Sequence, residues 1–193
     1  GEVENPARPF ATIQAAINAI GAAKAPGTIW TVLLGDGVFG PAILPAELNI
    51  NGIGSGSIFG PLNTVGGGTA SQITDTSIVG ASPAINHDGD YRLEVLTSNI
   101  SQTTDSGTPG LVYQTAGDLF IDTCQLIYST ATDNNTFGII TFEGTDPSTT
   151  VISNNNIVGT INGVTGDVFE VAEVSNSNTG STFTFTNNNV QVN

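Results

Sequence analysis

The sequence predicts an all-β solenoid of about six coils, closed at its start by a short α-helix. Three observations carry that expectation. One motif recurs: an alternating apolar strand, a small polar step, an Asn or Gln, then an aliphatic. It appears as "EVLTSNI" (94–100), "FIDTCQL" (120–126), "VISNNNI" (151–157) and "FTFTNNNV" (183–190). A second track of strands runs between these at nearly the same period. Finally, helical spacing of apolar residues occurs once, ahead of all the strands.

The N-terminal segment "NPARPFATIQAAINAIGAAKAPG" places Ile13, Ala16, Ile17 and Ile20 on one helical face, with Thr12 or the residues before it as a cap and Gly21 as the stop. A single amphipathic helix before a solenoid covers the open end of the first coil, whose strand edges would otherwise be unpaired. We therefore divide the chain into a cap, residues 1–28, and one β domain, residues 29–193. "TIWTVLLGDGVFGPAILPAELNINGIG" reads as strand, glycine turn, strand, and begins the coils.

In the first track Ile100, Leu126, Ile157 and Val190 are spaced 26, 31 and 33 residues apart, and "ITDTSIVG" and "AELNINGIG" extend it back to Ile78 and Ile50. In the second track Ile58, Ile85, Val112, Ile140 and Phe169 follow at 27, 27, 28 and 29. Two tracks in phase give each repeat at least two short strands. Equivalent residues of a solenoid stack about 4.8 Å apart from coil to coil. Asn tolerates left-handed backbone and bonds to its own turn, and stacked Asn side chains bond to one another. Asn99, Gln125, Asn156 and Asn189 are thus expected to form one polar ladder at a corner, beside a buried aliphatic row of Ile100, Leu126, Ile157 and Val190.

The stretches "NPARPFATIQAAINAI", "TVLLGDGVFG" and "LNINGIGSGSIFG" carry a resemblance. In that order they resemble the N-terminal part of pectate-lyase-like parallel β-helix proteins. Those show Asn-Pro, then Pro-Phe-x-Thr-Ile-x-x-Ala, a strand ending in Gly-x-Tyr/Phe, and a Gly-x-Gly before the next strand. The motifs cover about residues 5–80; the remainder matches only in repeat style. The resemblance implies a right-handed parallel β-helix. It leaves function open, because the superfamily includes lyases, hydrolases, esterases, phage tailspikes and non-catalytic surface proteins. Asn- and Thr-rich versions look like modules of virion fibres and of spore or cell surfaces.

Composition narrows the functional classes. The net charge is -14, from 17 acids against three bases, Arg8, Lys24 and Arg92. Binding phosphate-rich nucleic acid or an anionic membrane needs clustered Lys and Arg, so neither is expected. No apolar run is long enough to span a membrane as a helix. Cys124 is the single cysteine, which excludes an intrachain disulfide and a thiolate metal site within one chain. It shares a row of small residues with Ser98, Asn155 and Asn188 and is expected to be a half-buried corner thiol.

A uronate lyase needs Asp-rich Ca²⁺ ligands and an Arg or Lys base; Arg92 is the only base in the coil region. A polygalacturonase-like site needs several carboxylates with a His and a basic pair. "NHDGDYR" (86–92) comes nearest, with His87, Asp88, Asp90 and Arg92 within six residues. The same residues also spell a turn between strands carrying a surface ion pair. The other acids look scattered: Asp118, Asp146 and Asp167 beside Gly or Pro, Glu170 facing solvent, Glu173 less easily placed. They could serve Ca²⁺, the one cofactor considered, though no EF-hand or nonapeptide repeat is present. Trp30, Phe39, Phe59, Tyr113, Tyr128, Phe137 and Phe142 fit core stacking better than a sugar platform. Asn99-Ile-Ser101 and Asn134-Asn-Thr136 are glycosylation sequons that so Asn- and Thr-rich a chain forms readily by chance.

The expectation is therefore a non-enzymatic module of an extracellular or virion fibre, appendage or adhesin, able to contact glycan. The rival is a carbohydrate-active enzyme or its binding domain. Acids from adjacent coils converging in a groove beside Arg92 would favour the rival. The strand-like "FTFTNNNVQV", with no second cap, suggests a homo-oligomer or filament subunit packed side by side.

Overall fold

The computed structural model describes residues 10–25, 27–81, 83–102, 110–130, 136–144, 147–161, 168–174 and 180–193. Helix α1 (Ile13–Ala23) comes first. The strands begin with β1 (Trp30–Leu33), β2 (Gly37–Val38), β3 (Ala42–Pro45), β4 (Leu48–Asn51), β5 (Ser57–Phe59), β6 (Leu62–Val65) and β7 (Gly67–Thr74). They continue with β8 (Ser77–Gly80), β9 (Ile85–His87), β10 (Asp90–Leu96), β11 (Asn99–Gln102), β12 (Val112–Gln114), β13 (Leu119–Asp122) and β14 (Gln125–Thr130). The last are β15 (Thr136–Phe142), β16 (Thr149–Ser153), β17 (Asn156–Ile161), β18 (Val168–Val174), β19 (Thr182–Thr186) and β20 (Asn189–Val192).

These strands form three parallel sheets. The first runs β1-β4-β7-β10-β13-β16-β19, the second β2-β5-β8-β11-β14-β17-β20, and the third β3-β6-β9-β12-β15-β18. The chain enters them in strict rotation. Strands β1–β18 make six circuits, and β19 and β20 begin a seventh. The protein is all-β, with parallel sheets and one short helix. Each circuit holds three strands where the sequence showed two tracks. The tracks also mixed sheets: Ile50 pairs with Ile73 in the first sheet, while Phe59 lies beside Ile78 in the second. Ile58 likewise belongs to the second sheet, and the third-sheet row runs Leu62, Ile85, Val112, Ile140, Ala172. Three-residue strands such as β5 and β9 are too short to display alternation.

Alternation puts every second residue inside. Val32, Ile50, Ile73, Val95, Ile121 and Ile152 stack along the first sheet, and all are buried. Phe59, Ile78, Ile100, Leu126 and Ile157 do the same on the second. Helix α1 presses Ile13, Ala16, Ile17 and Ile20 onto the first circuit, against β1 and β3. The Thr12 hydroxyl accepts from Ala15 N at 3.2 Å, and Gln14 Oε1 accepts from the Ile43 amide at 2.7 Å, so the helix pairs part of the strand edge it covers. It runs through Gly21 to Ala23, because Gly21 has open space around it and no left-handed backbone to stop the helix.

The corner between the first and second sheets explains the asparagine triplets. Asp75, Thr97, Thr123, Asn154 and Asn187 hold φ between 48° and 56°, which turns the chain. The next residues, Thr76, Ser98, Cys124, Asn155 and Asn188, point inward and bond along the stack. Ser98 Oγ accepts from Thr76 N at 3.3 Å, Cys124 Sγ from Ser98 N at 3.4 Å, Asn155 Oδ1 from Cys124 N at 2.8 Å, and Asn188 Oδ1 from Asn155 N at 2.9 Å. In each triplet the first Asn turns, the second is a ladder rung, and the third opens the next strand.

The residues predicted as a ladder do lie in register, Asn99 with Gln125, Gln125 with Asn156, Asn156 with Asn189. They sit one position past the rungs that bond to backbone. Gln125, Asn156 and Asn189 are exposed, and Asn189 Nδ2 donates to Asn156 Oδ1 at 2.9 Å. Of the aliphatic row, Ile100, Leu126 and Ile157 are fully buried and Val190 is exposed.

Replacing Asn155 by Leu is expected to cost about 2–4 kcal/mol, because the buried Cys124 amide and Ile121 carbonyl lose their side-chain partner. Asn156→Leu, on the exposed face, is expected to stay within about 1 kcal/mol. Urea midpoints of the two variants check the one-residue offset; equal shifts would refute it.

Candidate functional site

The segment 86–92 spans the end of β9, a two-residue turn and the start of β10. Alternation continues from Ile85, so His87 faces inward, in register with Thr64 and Gln114. It is completely buried. Thr64 Oγ1 accepts from the amides of Asp88 (3.1 Å) and Gly89 (2.9 Å), so its own proton goes to His87 Nδ1 at 2.7 Å. The ring is then neutral, with Nε2–H donating to the Asp118 carbonyl at 3.1 Å. Burial drives the imidazole pKa down to about 4, against the weaker upward pull of the Asp118 carbonyl.

Other interior polar groups are matched in the same way. Tyr91 meets the His87 ring edge-on, with centroids 5.6 Å apart, and its hydroxyl donates to Leu44 O at 2.8 Å. Burial raises its pKa. Gln114 donates to Gly117 O at 2.7 Å and accepts from Thr150 Oγ1 at 2.8 Å. Position 117 requires glycine: φ is +62°, and a Cβ there would run into the carbonyl oxygens of Gly89 and Tyr91.

The remaining candidates point out of the fold and away from one another. Asp88 lies at the end of the third sheet, where its carboxylate accepts from Thr115 Oγ1 at 2.6 Å. Asp90 is exposed at the start of β10. Arg92 lies on the outer face of the first sheet, paired with Glu94 at 2.6 Å and stacked 3.9 Å over the Phe120 ring. Glu94 also accepts from Gln72 at 2.9 Å. The nearby Asp118 carboxylate accepts from Thr149 N at 2.7 Å. A general acid and base must reach one substrate. Here His87 is enclosed, and the outward groups occupy different faces.

One juxtaposition escaped the sequence reading. Asp88, Thr115 and Glu143 follow the register of β9, β12 and β15, through Thr115 N to His87 O (2.9 Å) and Glu143 N to Gln114 O (3.0 Å). Two strand spacings, about 10 Å, separate the Asp88 and Glu143 positions along the sheet. Tyr113 donates to Glu143 at 2.8 Å, which raises the phenol pKa. Residues sharing the third-sheet rows, Ile85 with Val112 and Ile140, were the available signal.

Asp122 serves the corner. It accepts from Ser153 (2.6 Å), Thr123 (2.8 Å) and Asn154 (2.7 Å), bonds that lower its pKa, Ser153 foremost. Cys124 is buried rather than half-buried, and burial pushes its thiol up to about 12. Phe59, Tyr128 and Phe142 are core residues, Trp30 and Phe39 pack against the core, and the Phe137 side chain lies outside the described residues. So do Arg8, Asp105, Asp133, Asn134, Asp146, Asp167 and the side chains of Phe169, Glu170 and Glu173. Asn99 opens β11 and is partly buried. Among the described residues no group of three or more His, Cys, Asp or Glu could hold a metal ion. No helix among them is long and apolar enough to cross a membrane.

No protein-family model matches this chain, and no curated protein or solved structure matches it significantly.

The buried imidazole makes stability depend on pH. Its folded pKa of about 4 lies below the ordinary 6.5, so its contribution is full above pH 6.5 and is lost as pH falls towards 4. The loss amounts to roughly 3 kcal/mol. Urea midpoints of the parent and His87→Gln at pH 7.5 and 4.5 check this. The parent should lose more than the variant, since both share the same carboxylates.

Proposed function

We propose that the three sheets wind as a right-handed parallel β-helix serving as a rigid structural module of an extracellular or virion fibre, appendage or adhesin. The hand follows from the preference of parallel β connections for right-handed crossovers, and the pectate-lyase-like motifs of residues 5–80 agree with it. In this reading residues 1–28 form the cap and residues 29–193 the rod. The module needs no cofactor, does not bind nucleic acid and does not insert in membranes. Its outward Asn, Gln and Thr rows can contact glycan.

The observation that carries this reading is the disposition of the titratable groups. The only His is held neutral inside the fold by Thr64 and Asp118, the thiol is buried, and the two described bases are ion-paired, Lys24 with Glu47 at 2.9 Å and Arg92 with Glu94. The His, the thiol and the two described bases thus serve the framework. A second reading, a carbohydrate-active enzyme, draws support from the Asp88 and Glu143 pair. The two positions lie two strand spacings apart, about 10 Å, slightly more than the roughly 6.5–9.5 Å between the carboxyl groups of inverting glycosidases.

Incubation of the purified protein with pectins, alginates and neutral glycans, with and without Ca²⁺, is expected to yield no product. Arg92→Ala, Asp88→Asn and Glu143→Gln should behave like the parent. Robust product formation that any of these variants abolishes would replace the structural reading with the enzymatic one.

A further inference from the structure

The chain has one histidine, held where it cannot be charged unless something else moves. His87 ends β9, and the strands on either side, β6 and β12, carry no charged residue. The carboxylates that act on the ring are those of Asp118 and Asp88. Both are engaged elsewhere, Asp118 with Thr149 N and Asp88 with Thr115 Oγ1. Tyr91 of β10, edge-on to the ring, stays neutral in acid.

The atom facing Nδ1 is Thr64 Oγ1, at 2.7 Å. Both lone pairs of that oxygen are taken, by the amides of Asp88 (3.1 Å) and Gly89 (2.9 Å), and its own proton points at Nδ1. A proton added to Nδ1 therefore meets a donor. An imidazolium forms only if Thr64 releases the two turn amides or the ring leaves its place. Burial acts in the same direction.

The 88–89 turn, which leads from the third circuit to the fourth, also carries the next turn along the stack. Thr115 N donates to His87 O at 2.9 Å and Asp118 N to Tyr91 O at 3.2 Å. Gly117 lies close against the carbonyl oxygens of Gly89 and Tyr91. His87 Nε2–H holds the same turn through Asp118 O at 3.1 Å. One ring thus ties together two successive turns from the third sheet back to the first.

We propose that the Thr64–His87 pair is an acid-released latch, in which protonation of the ring frees the turns at 88–89 and 115–118 while the ladders of the other circuits stay closed. No other side chain of this sequence ordinarily titrates between pH 5 and 7, so the joint is single. The proposal does not rest on the structural-module reading. Glycan turnover would overturn that reading and leave the latch untouched.

Amide hydrogen exchange of the parent at pH 7.5 and 4.5, followed by NMR and corrected for intrinsic rates, tests it. A state that restores the ring's ordinary pKa gains about 70-fold in population between those two pH values. The amides of Asp88, Gly89, Thr115 and Asp118 should lose protection by about that factor. At pH 4.5 they should exchange faster than those of β4 and β16, which open only with the whole fold. In His87→Gln the protection of these four amides should change less than about threefold. The ring's own titration in the parent, which needs no variant, should show a midpoint near pH 4 together with shifts of the Thr64 and Gly89 signals. Turn amides that only keep pace with β4 and β16 at pH 4.5, a ring that titrates near its ordinary pKa while the turns stay protected, or an undiminished pH dependence in His87→Gln would each overturn the proposal.

Discussion

The constraint on which everything else rests is that each strand pairs with the strands one circuit before and one circuit after. Among the described residues no strand pairs with its neighbour in sequence. Every residue type inside the fold must therefore suit the residue stacked on it about 4.8 Å away. Aliphatic rows arise because an apolar side chain makes its best contacts with another directly above and below. Polar rungs are tolerated on the same terms. Asn155 can be buried because Cys124, Ile121 and Asn188 complete its hydrogen bonds. Disruption at one rung is felt first by its two neighbours.

The interior is not uniformly apolar, and its polar part has one logic. Thr64, His87, Gln114 and Thr150 occupy inward positions that the preceding rows would fill with aliphatics. Each closes a bond to a neighbouring side chain or to a turn carbonyl. The turns from the third sheet back to the first carry the carbonyls of Gly117 and Asp118, which accept from Gln114 and His87. Those turns hold their shape through side chains from strands beside them. Catalytic-looking residue types in "NHDGDYR" are explained by this need, with the His inside and the acids in solvent.

Much of this was legible because backbone geometry leaves compositional marks. A left-handed corner followed by a small inward residue selects Thr-Ser, Thr-Cys and Asn-Asn, and the strand before it alternates cleanly. That marked the second-sheet rows and the core positions of Ile100, Leu126 and Ile157. The rung itself was misplaced by one residue, because in "NNN" the turning, bonding and strand-opening residues are the same amino acid. The third strand of each circuit was merged into the others, since three residues such as Ile85–His87 show no period. Inward His87 could have been read from Ile85 two positions earlier. The Asp88, Thr115 and Glu143 row lies three residues past Ile85, Val112 and Ile140, a constant offset that the two-track reading left unused.

The rotation of the chain through three sheets gives the molecule a mechanical grain. All interstrand hydrogen bonds lie along the stack, and the covalent chain winds around it. A force separating two adjacent circuits must break three short ladders together. A force that draws the chain off the last circuit meets those ladders one strand at a time. The same bonds thus make the stack stiff under compression and under bending, yet able to pay out chain when pulled from its end.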